Sequence, residues 1–268
     1  MLIDINAYVG HWPFRQLQYA TCTGLLERMN KYGVDISVIS NVNGMFYKNP
    51  QSANEELHAW LKADPKFKKR FIPFAVINPI YAGFKNDFKT CINDWGMKGV
   101  RIYPKYHDYN PTDDACVDLI KMCRDAGVPV CLTIRMEDSR ERSWLDIDYV
   151  SGTKKPEWNI RNILPLMESV PDAQFMLLNY ANKVKLSDDE LNFIRGSKLL
   201  IDTSGRAITD MNAFIQEFGT DKIALGSHAP FLDYLTGYLR VASLDNNEIS
   251  AEDRNRIFHG NAKAMIGL

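Results

Sequence analysis

Eight short aliphatic runs, each followed by a stretch of different periodicity, divide the chain into repeated units. The runs are Leu2–Ile5, Ile36–Ile39, Phe71–Ile77, Gly99–Tyr103, Pro129–Ile134, Phe175–Leu178, Leu199–Asp202 and Ile223–Leu225. They lack strict alternation, which suits parallel strands buried on both faces. Between them, Gly24–Tyr32, Asn54–Lys62, Phe84–Trp95, Asp113–Ala126 and Asp188–Arg195 space their apolar residues as one face of a helix does. Gly33 and Gly127 stand just before strands, where a left-handed residue ends a helix. Ser187 and the acids after it read as an N-cap with a favourable first-turn charge. Eight β-then-α units predict an α/β protein, a closed (β/α)8 TIM barrel forming a single domain over residues 1–268. An open doubly wound sheet is the alternative, but no Gly-x-Gly-x-x-Gly turn follows the first run.

Two connections are long. Asn41–Pro50 follows the second run and Met136–Trp158 follows the fifth. Both leave the C-terminal ends of strands, the face on which barrels build their sites. Such loops serve as lids or binding segments, or pack on a partner subunit.

Composition removes several classes of function. The net charge is −1 with acids and bases interspersed, so no nucleic-acid partner is expected. No stretch approaches a membrane span, and Met1–Ile5 enters a strand without a leader pattern. Cys22, Cys91, Cys116, Cys123 and Cys131 sit in apolar or helical contexts, which suggests buried reduced thiols and a cytoplasmic protein. A homodimer is the commonest closed assembly and is the expectation for oligomeric state.

Residues two apart at a strand end point the same way. That rule gathers Asn6 with Tyr8, Arg101 with Tyr103 and Lys105, and Thr133 with Arg135, with Asn179 and His228 joining from the sixth and eighth strands. The result is a mouth with positive charge, amide and phenol groups and one imidazole. Arginine grips carboxylate or phosphate in a bidentate way, so a small anionic molecule is the expected ligand. Arg101 and Arg135 could instead pair with Asp4 or Asp202 as structural ion pairs. His11 follows the first strand and either lines the mouth or pins its loop; His107 has similar standing. Asp202 could orient His228 or anchor Arg101. Asn261 more plausibly fixes a helix end than contacts a ligand.

Several stretches resemble the amidohydrolase-related family, in the branch that contains metal-dependent decarboxylases and lactonases. They are Met1–Asn6, Gly96–Pro104, Leu200–Ser204, Ala224–Pro230 and Gly260–Leu268, and they fall in the family's order. The resemblance implies a bound zinc or other divalent metal, and its ligands can be carried over by position. The family's His-x-His pair falls on Asn6 and Tyr8, and its next two histidines on or near Thr133 and on Asn179. The aspartate that is both ligand and proton shuttle falls on His228. None keeps its residue type, and Asn and Thr are poor zinc ligands, so no metal cofactor is expected.

The expected function is a metal-independent hydrolase, lactonase-like, or a lyase acting on a small carboxylated compound. His228, Asp202 and Tyr8 would be catalytic. Asn6, His11, Arg101, Tyr103, Lys105, Thr133, Arg135 and Asn179 would bind substrate. A non-catalytic relative binding an anionic metabolite or a protein is the alternative. A metal enzyme with ligands rearranged to His11, His107 and His228 is the third reading. For proton transfer, His228 needs one ring nitrogen fixed by a neighbour and the other open to a pocket; two nitrogens satisfied by protein would make it structural.

Overall fold

A computed structural model describes residues 1–136, 149–150, 153–154 and 158–268. Most of the long Met136–Trp158 connection therefore lies outside the described residues. The strands are β1 (Ile3–Val9), β2 (Ile36–Asn41), β3 (Phe71–Pro73), β4 (Ala75–Val76), β5 (Val100–Ile102), β6 (Val130–Thr133), β7 (Tyr149–Val150), β8 (Thr153–Lys154), β9 (Gln174–Leu178), β10 (Lys198–Asp202) and β11 (Ile223–Ala224). Apart from the small antiparallel pair β7–β8, every ladder is parallel. Strands β3 and β4 are one extended run broken at Phe74, so eight staves form the wall, as the eight aliphatic runs predict.

The wall is a three-stranded sheet, β1-β2-β3, and a six-stranded sheet, β11-β10-β9-β6-β5-β4. Among the described residues, no continuous ladder closes it. The chain itself carries one seam from β3 into β4, where Phe74 N donates to Ile39 O and Ala75 N to Gly99 O. Gly99 leaves room for the Phe74 ring, which a Cβ there would strike. Individual bonds cross the other seam: Ile5 N to Leu225 O (2.9 Å), His228 N to Asn6 O (2.7 Å) and Tyr8 N to Ala229 O (2.8 Å).

Helices fall where the spacing predicts them, at Cys22–Tyr32, Gln51–Ala63, Phe84–Lys89, Asp114–Asp125 and Asp188–Gly196. Gly33 and Gly127 both have φ of 67°. Ser187 and Glu190 form a reciprocal capping box. Asn261 donates to Thr220 O and Ile223 O, fixing the last helix, Asn261–Ile266, below β11. Ile3, Ile5, Val38, Phe74, Cys131 and Met176 belong to the core that fills the barrel's lower interior. All five cysteines are buried and free of disulfides, as expected.

One irregularity decides where the site lies. Asp4 pairs with Ser37 and Ala7 with Ile39, so β1 carries one residue more than its partner between those points. This bulge resets the alternation of inward and outward faces. Ile3 and Ile5 join the interior cluster, yet Asn6 and Tyr8 also face inward, while Ala7 and Val9 join an outer cluster. Asp4 holds the bulge from behind. It accepts from Asn6 N (2.9 Å), Ser227 N (2.9 Å) and Ser227 Oγ (2.6 Å), which also ties β1 to the segment after β11. Asp4→Ala leaves buried donors unpaired and is expected to cost at least about 3 kcal/mol, with Asp4→Asn costing less. Urea unfolding measures both; a loss for Asp4→Ala within about 0.5 kcal/mol, the range of ordinary surface changes, refutes the latch.

Candidate functional site

The bulge brings the Asn6 amide to the centre of a buried polar network. Its nitrogen donates to Asp202 Oδ2 (2.6 Å) and approaches His228 Nδ1 (3.2 Å) and Ser204 Oγ (3.3 Å). Asp202, at the end of β10, also accepts from Ser204 Oγ (2.7 Å) and from Asn179 N (2.8 Å). Gly226 is required beside it, because a Cβ there would collide with the Asp202 side chain. Asp202 therefore orients His228 through Asn6 and does not pair with Arg101.

His228 and Asn179 both sit at positive φ, 56° and 50°. Asparagine and histidine are among the non-glycine residues that adopt that region most readily. His228 Nε2 lies 2.7 Å from Met136 O, and a carbonyl only accepts, so Nε2 carries the hydrogen. Nδ1 then accepts from Asn6, and the imidazole is neutral. The Asn179 Nδ2 approach to Nε2 at 3.4 Å is a meeting of two donors; that amide bonds to Arg135 O at 2.6 Å instead. Burial pushes the His228 pKa down to about 4. The same burial pushes the Asp202 carboxyl up to about 6 against the pull of its hydrogen bonds.

This corrects the expectation for His228. It is fully buried, with both ring nitrogens bonded to protein, so it does not present a nitrogen for proton transfer.

Arg101 enters the same chamber from β5. Its guanidinium carbon lies 4.2 Å over the Tyr8 ring, and its side chain is fully buried. Nη2 reaches Val38 O at 3.4 Å, while Nε and Nη1 have no hydrogen-bond partner. Neither Asp4 nor Asp202 pairs with it, and among the described residues it makes no salt bridge. The buried Tyr103 hydroxyl lies close to the Arg101 guanidinium without a well-aligned hydrogen bond, and burial raises its pKa well above the usual phenol range. The Tyr8 hydroxyl meets Thr133 Oγ1 at 3.0 Å. Above these groups lies an apolar layer that includes Trp12, Val76, Met136 and Phe231. Phe231 packs on His228 (5.3 Å between centroids), Tyr8 (5.5 Å) and Trp12 (4.7 Å).

The remaining expected residues lie elsewhere. Lys105 is half-buried on the short helix Pro104–His107, with Nζ 5.9 Å over the Trp158 ring. Arg135 is half-buried and contributes its carbonyl to Asn179. His11 is exposed and lines a cavity of about 540 Å³ with Thr21, Glu56 and Trp60, because the chain turns outward after Gly10. It is not part of the buried network. His107 Nε2 bonds to Gly44 O at 3.1 Å and pins the loop after β2. Sequence reasoning missed Ser204 and the Met136 carbonyl. Ser204 follows Asp202 by two, so the rule that paired Asn6 with Tyr8 also predicts it.

The chamber does not fit a resident transition metal. Of the positions that the resemblance assigns to ligands, only His228 has a ligand's chemistry, and its lone pair faces the Asn6 amide. Asn6 and Tyr8 bond to His228 and Thr133, so these positions satisfy one another. Among the described residues, no three His, Cys, Asp or Glu side chains converge to hold a metal ion.

Comparison with solved structures defines the class of fold. A Staphylococcus aureus protein assigned as an amidohydrolase superposes with a TM-score of 0.73 at 19% identity, over 100% of this chain and 99% of its own. The 5-carboxyvanillate decarboxylase of Sphingomonas paucimobilis gives 0.71 at 15%, over 100% and 99%. The 2,6-dihydroxybenzoate decarboxylase of Rhizobium gives 0.70 at 16%, over 99% and 98%. The chain has the TIM-barrel fold of these proteins. No protein-family model matches the sequence, and no curated protein does.

The paired shifts make a prediction with opposite signs. Asp202 is raised above the ordinary aspartate value of about 3.9, so its contribution to stability is complete below that pH and lost as pH rises through about 6. His228 is lowered from about 6.5, so its contribution is complete above that pH and lost as pH falls through about 4. Each is worth on the order of 3 kcal/mol, and in the intact protein they nearly cancel. Between pH 4 and 6.5, His228→Asn should lose stability relative to wild type as pH rises, and Asp202→Asn should gain it. Denaturation at several pH values checks this; the same slope in both variants contradicts the assignment.

Proposed function

We propose that the chain recognises a small carboxylated compound through Arg101, without a resident metal. The observation that carries this reading is a buried guanidinium with two N–H groups unpartnered and no acid paired to it among the described residues. A buried charge without a counter-ion is costly, and a charge retained at that cost is suited to a ligand's opposite charge. The Tyr103 hydroxyl beside it supplies a further donor, and the Tyr8 ring fixes the plane of the guanidinium. The apolar layer above suits the hydrocarbon part of such a ligand. Two of the fold neighbours are decarboxylases of carboxylated aromatic compounds, which supports the choice of carboxylate.

Binding without catalysis stands first, because His228 has no nitrogen to offer. A metal-independent lyase or lactonase is the second reading. It is favoured by the Asp202 carboxyl, whose pKa near 6 would let it hold or release a proton near neutrality. In that reading Arg101 and Tyr103 bind the anion, and the Asp202 carboxyl itself gives or takes the proton.

Arg101→Met tests the assignment. Removing a buried uncompensated charge is expected to stabilise the fold by about 1 kcal/mol or more. It should also abolish binding of benzoate, dihydroxybenzoates and lactone-derived acids, measured by calorimetry. A destabilised variant that still binds these acids refutes the reading. Assays of the same panel then separate its forms: binding without turnover supports recognition alone, and turnover supports the lyase or lactonase. Elemental analysis of dialysed protein should find well under one transition metal per chain; stoichiometric zinc or manganese overturns the metal-free part.

A further inference from the structure

We propose a second oxyanion site on the outer flank of the barrel, centred on Arg28 and independent of Arg101. A cavity of about 450 Å³ lies between the Arg15–Tyr19 segment, the helix Cys22–Tyr32 and the Ala229–Tyr234 segment. Arg28 lines it, and its guanidinium carbon lies 4.8 Å from the centroids of both the Tyr19 and Tyr32 rings. Rings over a guanidinium leave its in-plane N–H groups as the binding edge, the edge that fits a carboxylate or phosphate. Among the described residues Arg28 makes no hydrogen bond or salt bridge, so that edge is unclaimed.

Two further observations point to a ligand. Tyr19 holds a left-handed backbone, φ 63°, which is strained for an aromatic residue and sets its ring against Arg28. Tyr32 is itself stacked on Tyr234 at 5.6 Å, so the platform beneath the guanidinium is backed by a buried ring. Among the described residues, the one acid in the lining is Asp233, whose Oδ1 is taken by Leu235 N, so it does not occupy the Arg28 edge. Gln16 and Gln18 add amide donors. The chemistry selects a small molecule bearing a carboxylate or a phosphate group.

The site has a route to the interior. Arg15 Nη2 donates to Phe231 O at 3.2 Å, and the Phe231 ring covers His228 and Tyr8.

The test titrates the full-length protein with inorganic phosphate and, separately, with acetate, following heat of binding and the fluorescence of the tryptophans, Trp12 among them. Wild type should bind at least one anion with a Kd in the millimolar range or tighter, and the tighter of the two identifies the ligand's group. Arg28→Met, which keeps the side-chain stem on Tyr32, should weaken binding by roughly tenfold or more. Arg101→Met should leave the phosphate response unchanged and keep an acetate response that Arg28→Met in the same background weakens, which separates this site from the carboxylate reading of the buried one. Undiminished binding by Arg28→Met overturns the proposal, as does loss of binding in Arg101→Met alone. Absence of binding of either anion by wild type up to about 10 mM also overturns it.

Discussion

The site depends on one extra residue in β1. A regular strand starting with Ile3 and Ile5 inward would send Asn6 and Tyr8 outward with alternate partners. The bulge between Asp4 and Ala7 turns both inward without disturbing the apolar filling below. Asp4 makes this possible by taking the Asn6 N–H that the bulge frees and by reaching the Ser227 hydroxyl across the seam. The same carboxylate thus fixes the aim of β1 and the position of the turn that carries His228. Displacing it would misplace Asn6, and with it the bridge between Asp202 and His228.

Two buried charges of opposite sign are treated differently. Asp202 receives three hydrogen bonds, from Asn6, Ser204 and Asn179. Arg101 receives an aromatic face and one long contact to a carbonyl. Desolvation of a guanidinium costs several kcal/mol, and a cation–π contact returns only about 2. The two groups sit in one barrel yet do not pair. The Asp202 carboxylate has its donors within the protein, whereas Nε and Nη1 of Arg101 have no acceptor. The proposed recognition of an anion by Arg101 rests on that asymmetry.

The barrel was legible because its signals are local and repeated: eight apolar runs, helix spacing between them, and cap residues such as Gly33, Gly127 and Ser187. Membership of the chamber was partly legible, because the two-residue period places Asn6 with Tyr8 and Arg101 with Tyr103. His11 was not, since nothing local says which way a chain turns after a strand ends. Nor was the bonding of His228. Its Nε2 partner is a backbone carbonyl at Met136, 92 residues away, and carbonyls leave no mark in a sequence. The residue types at the carried-over ligand positions were legible, but that Asn6 meets His228 and Tyr8 meets Thr133 there was not.

The Asn6 amide couples the protonation of its two neighbours. As it stands, its N–H groups serve the Asp202 carboxylate and the neutral His228 Nδ1, while its own Oδ1 is buried without a partner. A proton on Nδ1 would face an amide donor, so accepting it requires the amide to rotate and offer its oxygen. Rotation would bring that oxygen against Asp202, which is tolerable only if the carboxyl is protonated as well. Donor counting therefore allows two consistent arrangements: an ionised Asp202 with neutral His228, or a protonated Asp202 beside an imidazolium. The first leaves one buried acceptor unpaired. The second places an imidazolium in a chamber that already holds the Arg101 charge, and that repulsion, added to burial, favours the first.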